Sequence, residues 1–251
     1  MERTVGSNGN VQLTVEDAIA EIRLTHAEKL NCFSLELAED LRDLTLSVDD
    51  YDVSAVVITA EGRSFSAGAD VDIVGGDDPT VLERLQELYS PAFNWMRNSS
   101  VPVISAGRGP AVGAGASLLC YTADLIVVGE DIEIWWPEVA YGIPPLSRLI
   151  ALSKDIGSPH ALEFMLLGEE GKMGAQEAHQ LGLVNRVVKP DEVEEEAREM
   201  AKTIAQYDAE HDIVESFLET LQHARAEENS ASTAYATYRR DVEQGILGDE
   251  P

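Results

Sequence analysis

"GRSFSAGADVD", residues 62–72, sets one bulky residue, Phe65, among small ones and then presents Asp70. It follows directly on "SAVVITA" (54–60), an apolar run with β-branched residues that reads as a buried strand. Ala67, Gly68 and Ala69 give a core almost nothing to pack. They leave the backbone uncovered instead, so that another group can come close to main-chain N–H donors.

A second stretch of the same kind lies downstream. "VPVISA" (101–106) reads as a strand, "GRGPAVGAG" (107–115) as a Gly-rich turn, "ASLLCYTA" (116–123) as a helix and "DLIVVG" (124–129) as a strand. Each small-residue turn follows an apolar strand and opens a helix, so each offers free amides at a positive dipole end. Two such amides converging on one point would hold a developing oxyanion. Taken singly, each turn is an ordinary strand-to-helix connection that needs small residues for packing. Their combination with the Pro137-Glu138 pair in "EIWWPEVAYGIPP" (133–145) favours the oxyanion reading.

Other chemistries fit these residues less well. Gly107, Gly109 and Gly113 follow a strand, but their G-x-G-x-x-x-G spacing and the intervening Pro110 depart from a dinucleotide fingerprint. Ser64, Ser66 and Ser117 do not sit in a G-x-S-x-G nucleophile turn. His26, His160, His179, His211 and His223 are scattered without an H-E-x-x-H pair, so no metal site is expected and each reads as a surface or capping residue.

The rest of the chain supplies the scaffold. "VQLTVED" and "AIAEIRLT" (11–25) alternate around a short acidic turn and predict a hairpin. "SLELAEDLRDLTLSV" (34–48) and "TVLERLQELYSPAFNWMRN" (80–98) carry helical spacing. From "SRLIALSK" (147–154) onward the pattern is helical apart from "GLVNRVV" (182–188), one more strand. Strands early and helices late predict a sheet-based core over 1–190 and a helical region over 191–251, with the boundary near Pro190. Two apolar stripes, "DEVEEEAREMAKTIAQ" (191–206) and "DIVESFLETLQHARAEE" (212–228), are expected to close over the pocket and help assemble the protein.

Composition narrows the partners. A chain of 251 residues, 44% hydrophobic, can bury a full core. Asp and Glu number 46 against 18 Lys and Arg, a net charge of -28, with no single acidic tail to account for it. Self-repulsion of that size fits a salt-rich cytoplasm, where ions screen within a few Å. No basic stripe exists to neutralise phosphates, which argues against nucleic acid. "MERTVGSNGNVQ" (1–12) lacks the apolar segment of a signal peptide, and no run is long enough to span a bilayer. A cytoplasmic location, no membrane contact and reduced thiols at Cys32 and Cys120 are therefore expected.

"LNCFSLELAEDL" (30–41), "AVVITAEGRSFSAGADV" (55–71), "VPVISAGRGPAVGAGASLLCYTADLIV" (101–127), "WWPEVAYGIPP" (135–145) and "GKMGAQEAHQLGLVNRVV" (171–188) occur in this order. Together they resemble the enoyl-CoA hydratase/isomerase (crotonase) superfamily, with F-x-A-G-A-D and A-x-E-A-x-x-L-G-L-V the most specific parts. The resemblance implies an α/β fold, a spiral of ββα units with a helical C-terminal region, assembled as a homotrimer or a hexamer of two trimers. It implies an acyl-CoA substrate and no separate cofactor, coenzyme A being part of that substrate. By position, the N–H groups of Ala69 and Ala114 become the oxyanion donors. Carbonyls around Ala67 and Gly68 would face the CoA adenine, and Lys29, Leu30 and Asn31 would line the entrance. Asp70 reads as an anchor of the turn or a helix N-cap.

Departures from the family pattern bear on the reaction. Hydratases of this family use two glutamates. The second position is Glu138 here, but the first is Ser117, which cannot exchange protons near neutral pH as a carboxylate does. "IPPLSR" (143–148) stands where glycine-rich sequence usually follows the second glutamate. The expectation is an enoyl-CoA isomerase working through Glu138, with hydration as the first alternative and a non-catalytic acyl-CoA-binding subunit as the second.

Overall fold

The computed structural model describes residues 1–76, 78–211 and 213–222. The chain opens with β1 (Glu2–Val5), β2 (Val11–Glu16) and β3 (Ile19–Leu24), followed by α1 (Leu35–Leu46) and β4 (Ala55–Ala60). The "SAGAD" turn leads into a one-turn α2 (Val71–Val74) and a long α3 (Pro79–Arg97). Next come β5 (Val103–Gly107), β6 (Pro110–Val112), α4 (Ala114–Cys120), β7 (Leu125–Gly129) and β8 (Glu133–Trp135). The chain continues through α5 (Leu146–Ile156), α6 (Ser158–Leu167), β9 (Met173–Gly174), α7 (Ala175–Gln180), β10 (Arg186–Val188) and α8 (Val193–His211). Residues 214–222 are helical.

Seven strands form one sheet in the order β1-β2-β3-β4-β5-β7-β10. The β1-β2-β3 portion is antiparallel, and every later pairing is parallel. Burial follows that division. β3 alternates between buried and half-buried residues, whereas β4 and β5 are buried throughout because both of their faces are covered. Val56, Ile58, Val103 and Val128 point into the main core with α1 and α3. Their neighbours Ala55, Val57, Ile104 and Val127 face the other way, against Val193, Ala197 and Ala201 of α8.

The placement of α8 corrects two expectations. It does not line the cavity beside the two small-residue turns; it covers the back of the large sheet. The division at residue 190 is therefore not one of packing, since α8 shares an apolar cluster with β4, β5 and β7. Ion pairs reinforce the join: Arg198 meets Glu21 of β3 at 2.9 Å, and Arg23 of β3 meets Glu194. Thr59 donates a further hydrogen bond to Glu21. Of the second stripe, 212–228, residues 213–222 are described, helical over 214–222 and tied by Gln222 Nε2 to Asn98 O and Ser99 O at the end of α3; the remainder lies outside the described residues.

The β2–β3 hairpin forms as the alternation predicts, with Glu16 opposite Ile19 across a two-residue loop. Asp17 (φ 51°) and Ala18 (φ 58°) both adopt positive φ, as a type I′ turn requires. Alanine pays about 1–2 kcal/mol for that conformation, offset only partly by its stiffer unfolded chain. Ala18→Gly should therefore raise stability by roughly 0.5–1 kcal/mol. Urea unfolding checks this, and a lower midpoint in the variant would contradict it.

Candidate active site

Strand β6 assembles the site. It lies inside the stretch expected to be only a Gly-rich turn. It pairs in parallel with β8, Val112 opposite Trp135, and Gly113 N–H donates to Trp135 O at 2.9 Å. On its other side Ser66 bridges Ala111: Ser66 N–H donates to Pro110 O, and Val112 N–H to Ser66 O at 3.0 Å. Three segments distant in sequence, 66–69, 112–114 and 135–138, are thereby set side by side. β8 also carries β9, a two-residue strand that helical patterning hides.

The first turn is anchored from behind. Phe33 N–H donates to Gly68 O at 2.7 Å, and Asp70 N–H to Phe33 O at 3.1 Å, so Ala69 is bridged through its neighbours and not through its own N–H. Ser66 Oγ donates to Asn31 O at 2.7 Å and accepts from Gly68 N–H. Asp70 caps α2, its Oδ1 accepting from Asp72 N–H at 3.0 Å, as its position after the turn predicts. Gly68 lies so close to the second turn that a Cβ there would sit 2.5 Å from Val112 O and 3.7 Å from Ala114 N. Among the described residues, neither Ala69 N–H nor Ala114 N–H has a protein acceptor. Both residues line one cavity of about 590 Å³, within the range of small-molecule sites.

Glu138 lines the same cavity, in a 3-10 turn (Pro137–Tyr141) that begins at Pro137. Its Oε2 is buried and finds no hydrogen-bond partner among the described residues, and its Oε1 lies 3.0 Å from where a Cβ on Gly113 would be. Burial raises the Glu138 pKa above the ordinary carboxylate value; its own backbone amide and the charge of Arg148 draw it part of the way back. Ser117 also lines the cavity, one turn into α4, and its Oγ accepts the indole N–H of buried Trp136 at 3.3 Å. That bond uses a lone pair and leaves the serine proton available to the cavity. Glu169 reaches the rim, but it is 68% exposed and paired with Lys172 at 3.2 Å.

The structure brings Ala67, Gly68, Ala69, Ala114, Ser117 and Glu138 together around this space. Lys29 and Leu30 are not part of its lining. Lys29 is exposed, and Leu30 (φ 54°) sits behind the turn, its carbonyl accepting Ala67 N–H at 2.9 Å. Cys32 and Cys120 are free thiols, and no cluster of potential metal ligands occurs among the described residues. Tyr89 and Arg148 are among the polar side chains of the cavity that sequence patterns do not single out. Tyr89 lies on the inner face of α3, and Arg148 lies in the first turn of α5. Tyr89 hides within an amphipathic helix pattern, whereas Arg148 stands in the conspicuous "IPPLSR" stretch.

Comparison with known proteins agrees with this arrangement. The model of the family described as enoyl-CoA hydratase/isomerase matches residues 14–245. The mitochondrial enoyl-CoA hydratase domain-containing protein 3 of Rattus norvegicus is 30% identical over 208 residues, 81% of this chain and 68% of that protein. 4-Chlorobenzoyl coenzyme A dehalogenase-2 of an Arthrobacter species is 30% identical over 252 residues, 96% of this chain and 87% of that protein. The crystal structure of the human enoyl coenzyme A hydratase domain-containing protein 3 superposes with a TM-score of 0.76 at 26% identity, covering 94% of this chain and 95% of that one. With its mixed sheet, its paired small-residue turns and a profile match over most of its length, the chain belongs to the enoyl-CoA hydratase/isomerase family.

Proposed function

We propose that this enzyme isomerises enoyl-CoA thioesters, with Glu138 as its one proton-transfer group. The observation that carries the reading is the half-buried carboxylate of Glu138, whose buried Oε2 has no partner among the described residues, sharing a cavity with two acceptor-free amides. In this scheme the thioester oxygen is held by Ala69 N–H and Ala114 N–H. Glu138 takes a proton from C2 of a 3-enoyl thioester, and the electron pair moves onto the thioester oxygen as a dienolate. The same carboxyl returns the proton at C4, leaving the double bond between C2 and C3. Atoms and charge balance with no second acid. Carbonyls around Ala67 serve the adenine end, the Gly68 carbonyl being taken by Phe33 N–H, and Lys29 and Leu30 support the entrance from outside the lining. No cofactor beyond the coenzyme A of the substrate is required.

Hydration is the second reading, favoured by Ser117, whose hydroxyl is oriented by Trp136 and could hold a water for Glu138. A panel of 2-enoyl and 3-enoyl thioesters at high salt separates the two. Isomerisation predicts conversion of 3-enoyl to 2-enoyl substrate without a hydroxyacyl product, and Ser117→Ala costing less than about threefold. Hydration predicts a hydroxyacyl product and a loss of at least about tenfold in that variant, the equivalent of roughly 1.4 kcal/mol. Strong hydration by the parent, lost on removing Ser117, overturns the isomerase reading.

Assembly and medium belong to the same proposal. Leu162, Leu166 and Leu167 on α6 are exposed apolar side chains that a trimer, or a hexamer of two trimers, would cover. A stable monomer in sedimentation at micromolar concentration and high salt contradicts this. The charge of -28 implies a protein stabilised by salt, since screening relieves repulsion over the whole surface while weakening only a few pairs such as Arg198–Glu21. The melting temperature should rise from dilute buffer to molar KCl, and an unchanged one removes the salt-adapted reading. Among the described residues no helix is long and apolar enough to cross a membrane; we place the enzyme in the cytoplasm.

A further inference from the structure

The isomerase scheme leaves one charged group of the cavity without a task. Arg148 lines it, and its guanidinium is held by contacts that orient it without neutralising it. The guanidinium carbon lies 4.1 Å from the centre of the Tyr121 ring and 5.8 Å from that of Phe93, and Nη1 donates to Ser147 Oγ at 2.9 Å. A second guanidinium, that of Arg97, packs on the same Tyr121 ring at 4.3 Å and adds positive charge. Among the described residues, no carboxylate forms an ion pair with Arg148. Glu138 feels its charge across the cavity but does not reach it.

An arginine keeps its charge, so removing one from water is costly unless an anion meets it. A cavity meant only for a hydrocarbon tail would gain by having an apolar residue there. The neighbouring lining is mixed: α3 contributes Leu82 and Leu85 along with Gln86, Ser90 and Tyr89, the last within electrostatic reach of Arg148. Aromatic faces fix the plane of the guanidinium, and Ser147 takes one N–H, which leaves donors in the fork that fits a carboxylate.

We propose that Arg148 recognises a carboxylate at the far end of the acyl chain, so that the preferred substrates are thioesters of dicarboxylic acids. The inference rests on reading the cavity as an acyl-thioester site and deepens that reading by naming the class of acyl group. It also gives the reaction a direction of supply: the substrate must come from chemistry that thioesterifies one end of a diacid or carboxylates an acyl thioester.

The test uses matched five-carbon probes on the full chain at one fixed high salt concentration. Turnover is compared for enoyl thioesters that end in a carboxylate or in a methyl group. Affinity is measured by calorimetry for the saturated pair, the CoA thioesters of pentanedioic and pentanoic acid. The parent should favour the carboxylate member of each pair by about 30-fold or more, the scale of a desolvated charge pair. Arg148→Gln should reduce that preference at least about tenfold, and Arg148→Lys should keep part of it. Circular dichroism verifies that the variants fold, and the parent's own preference remains decisive if they do not. A parent that binds both members equally, or favours the methyl one, overturns the proposal. So does a preference that survives in Arg148→Gln with only the pH profile displaced, because Arg148 would then act on Glu138 alone. A carboxylate preference in binding with no turnover of any enoyl thioester would refute the isomerase scheme and leave this inference standing.

Discussion

Glu138→Gln should bind acyl-CoA thioesters within a few-fold of the parent and lose about 10²–10⁴-fold in turnover, the usual contribution of a positioned acid or base. Binding persists because Ala69 N–H and Ala114 N–H are main-chain groups on other segments, untouched by the change. Turnover falls because an amide cannot carry the proton from C2 to C4. The parent's activity should rise with pH through a pKa displaced upward from the ordinary glutamate value, since burial disfavours the carboxylate and the base must be ionised to act. The same displacement gives a second readout. A carboxyl whose folded pKa is raised contributes stability that is fully present below its unfolded pKa and is lost as pH rises through the folded one. The glutamine variant is free of that loss, so it should melt above the parent at neutral pH, with the gap closing as pH falls towards 4. Undiminished isomerisation in Glu138→Gln would end the mechanism. Lower stability of the variant at neutral pH would show that Oε2 has a partner in solution that the structure lacks.

What the sequence disclosed and concealed divides along physical lines. Strands β2 to β5 are legible because alternation and β-branched runs are local signals, and α1 and α3 because their apolar spacing is helical. The two small-residue turns are legible as turns, and the family resemblance turns them into paired donors. The connection between them is not legible. β6 is three residues long and opens with a proline, so no periodicity can declare it; its identity comes from Ser66 on one side and Trp135 on the other. The destination of α8 is concealed for a related reason. A stripe of Val193, Ala197 and Ala201 announces that something must be covered, not what. Because Ala55, Val57, Ile104 and Val127 sit on strands buried on both faces, the sheet's own sequence shows no polar side to mark the second layer. Arg148 is the converse case. Its position is plain in the sequence, but that no carboxylate among the described residues pairs with it is a fact of three-dimensional surroundings.

Gly68→Ala should cost both stability and turnover, and it tests the oxyanion geometry without touching Glu138. Gly68 has φ +80°, a conformation that costs an L-residue about 1–2 kcal/mol. Its added methyl would lie 2.5 Å from Val112 O and 3.2 Å from Val112 C, which are backbone atoms of β6 and cannot rotate away. Strand pairing with β8 holds Val112 from the far side, and Phe33 holds Gly68 through its carbonyl. The turns must separate, and because Ala69 directly follows Gly68 and Ala114 lies two residues beyond Val112, the amides separate with them. A loss of about 2 kcal/mol or more is expected from strain and clash, a fall of roughly 4–8 °C in melting temperature for a chain of this size. Displacing a positioned group by about 1 Å costs on the order of 10²-fold in rate. The loss should fall on kcat more than on thioester affinity, since the developing enolate depends on the two donors more than the ground-state carbonyl does. Gly9→Ala is the control for φ alone: Gly9 also has a positive φ, +79°, but nothing within 4 Å of its added methyl, and it lies in the β1–β2 turn. That variant should lose stability and keep kcat. Equal kcat losses in the two would mean that strain anywhere lowers activity, whereas a selective loss at Gly68 ties turnover to the spacing of the two amides.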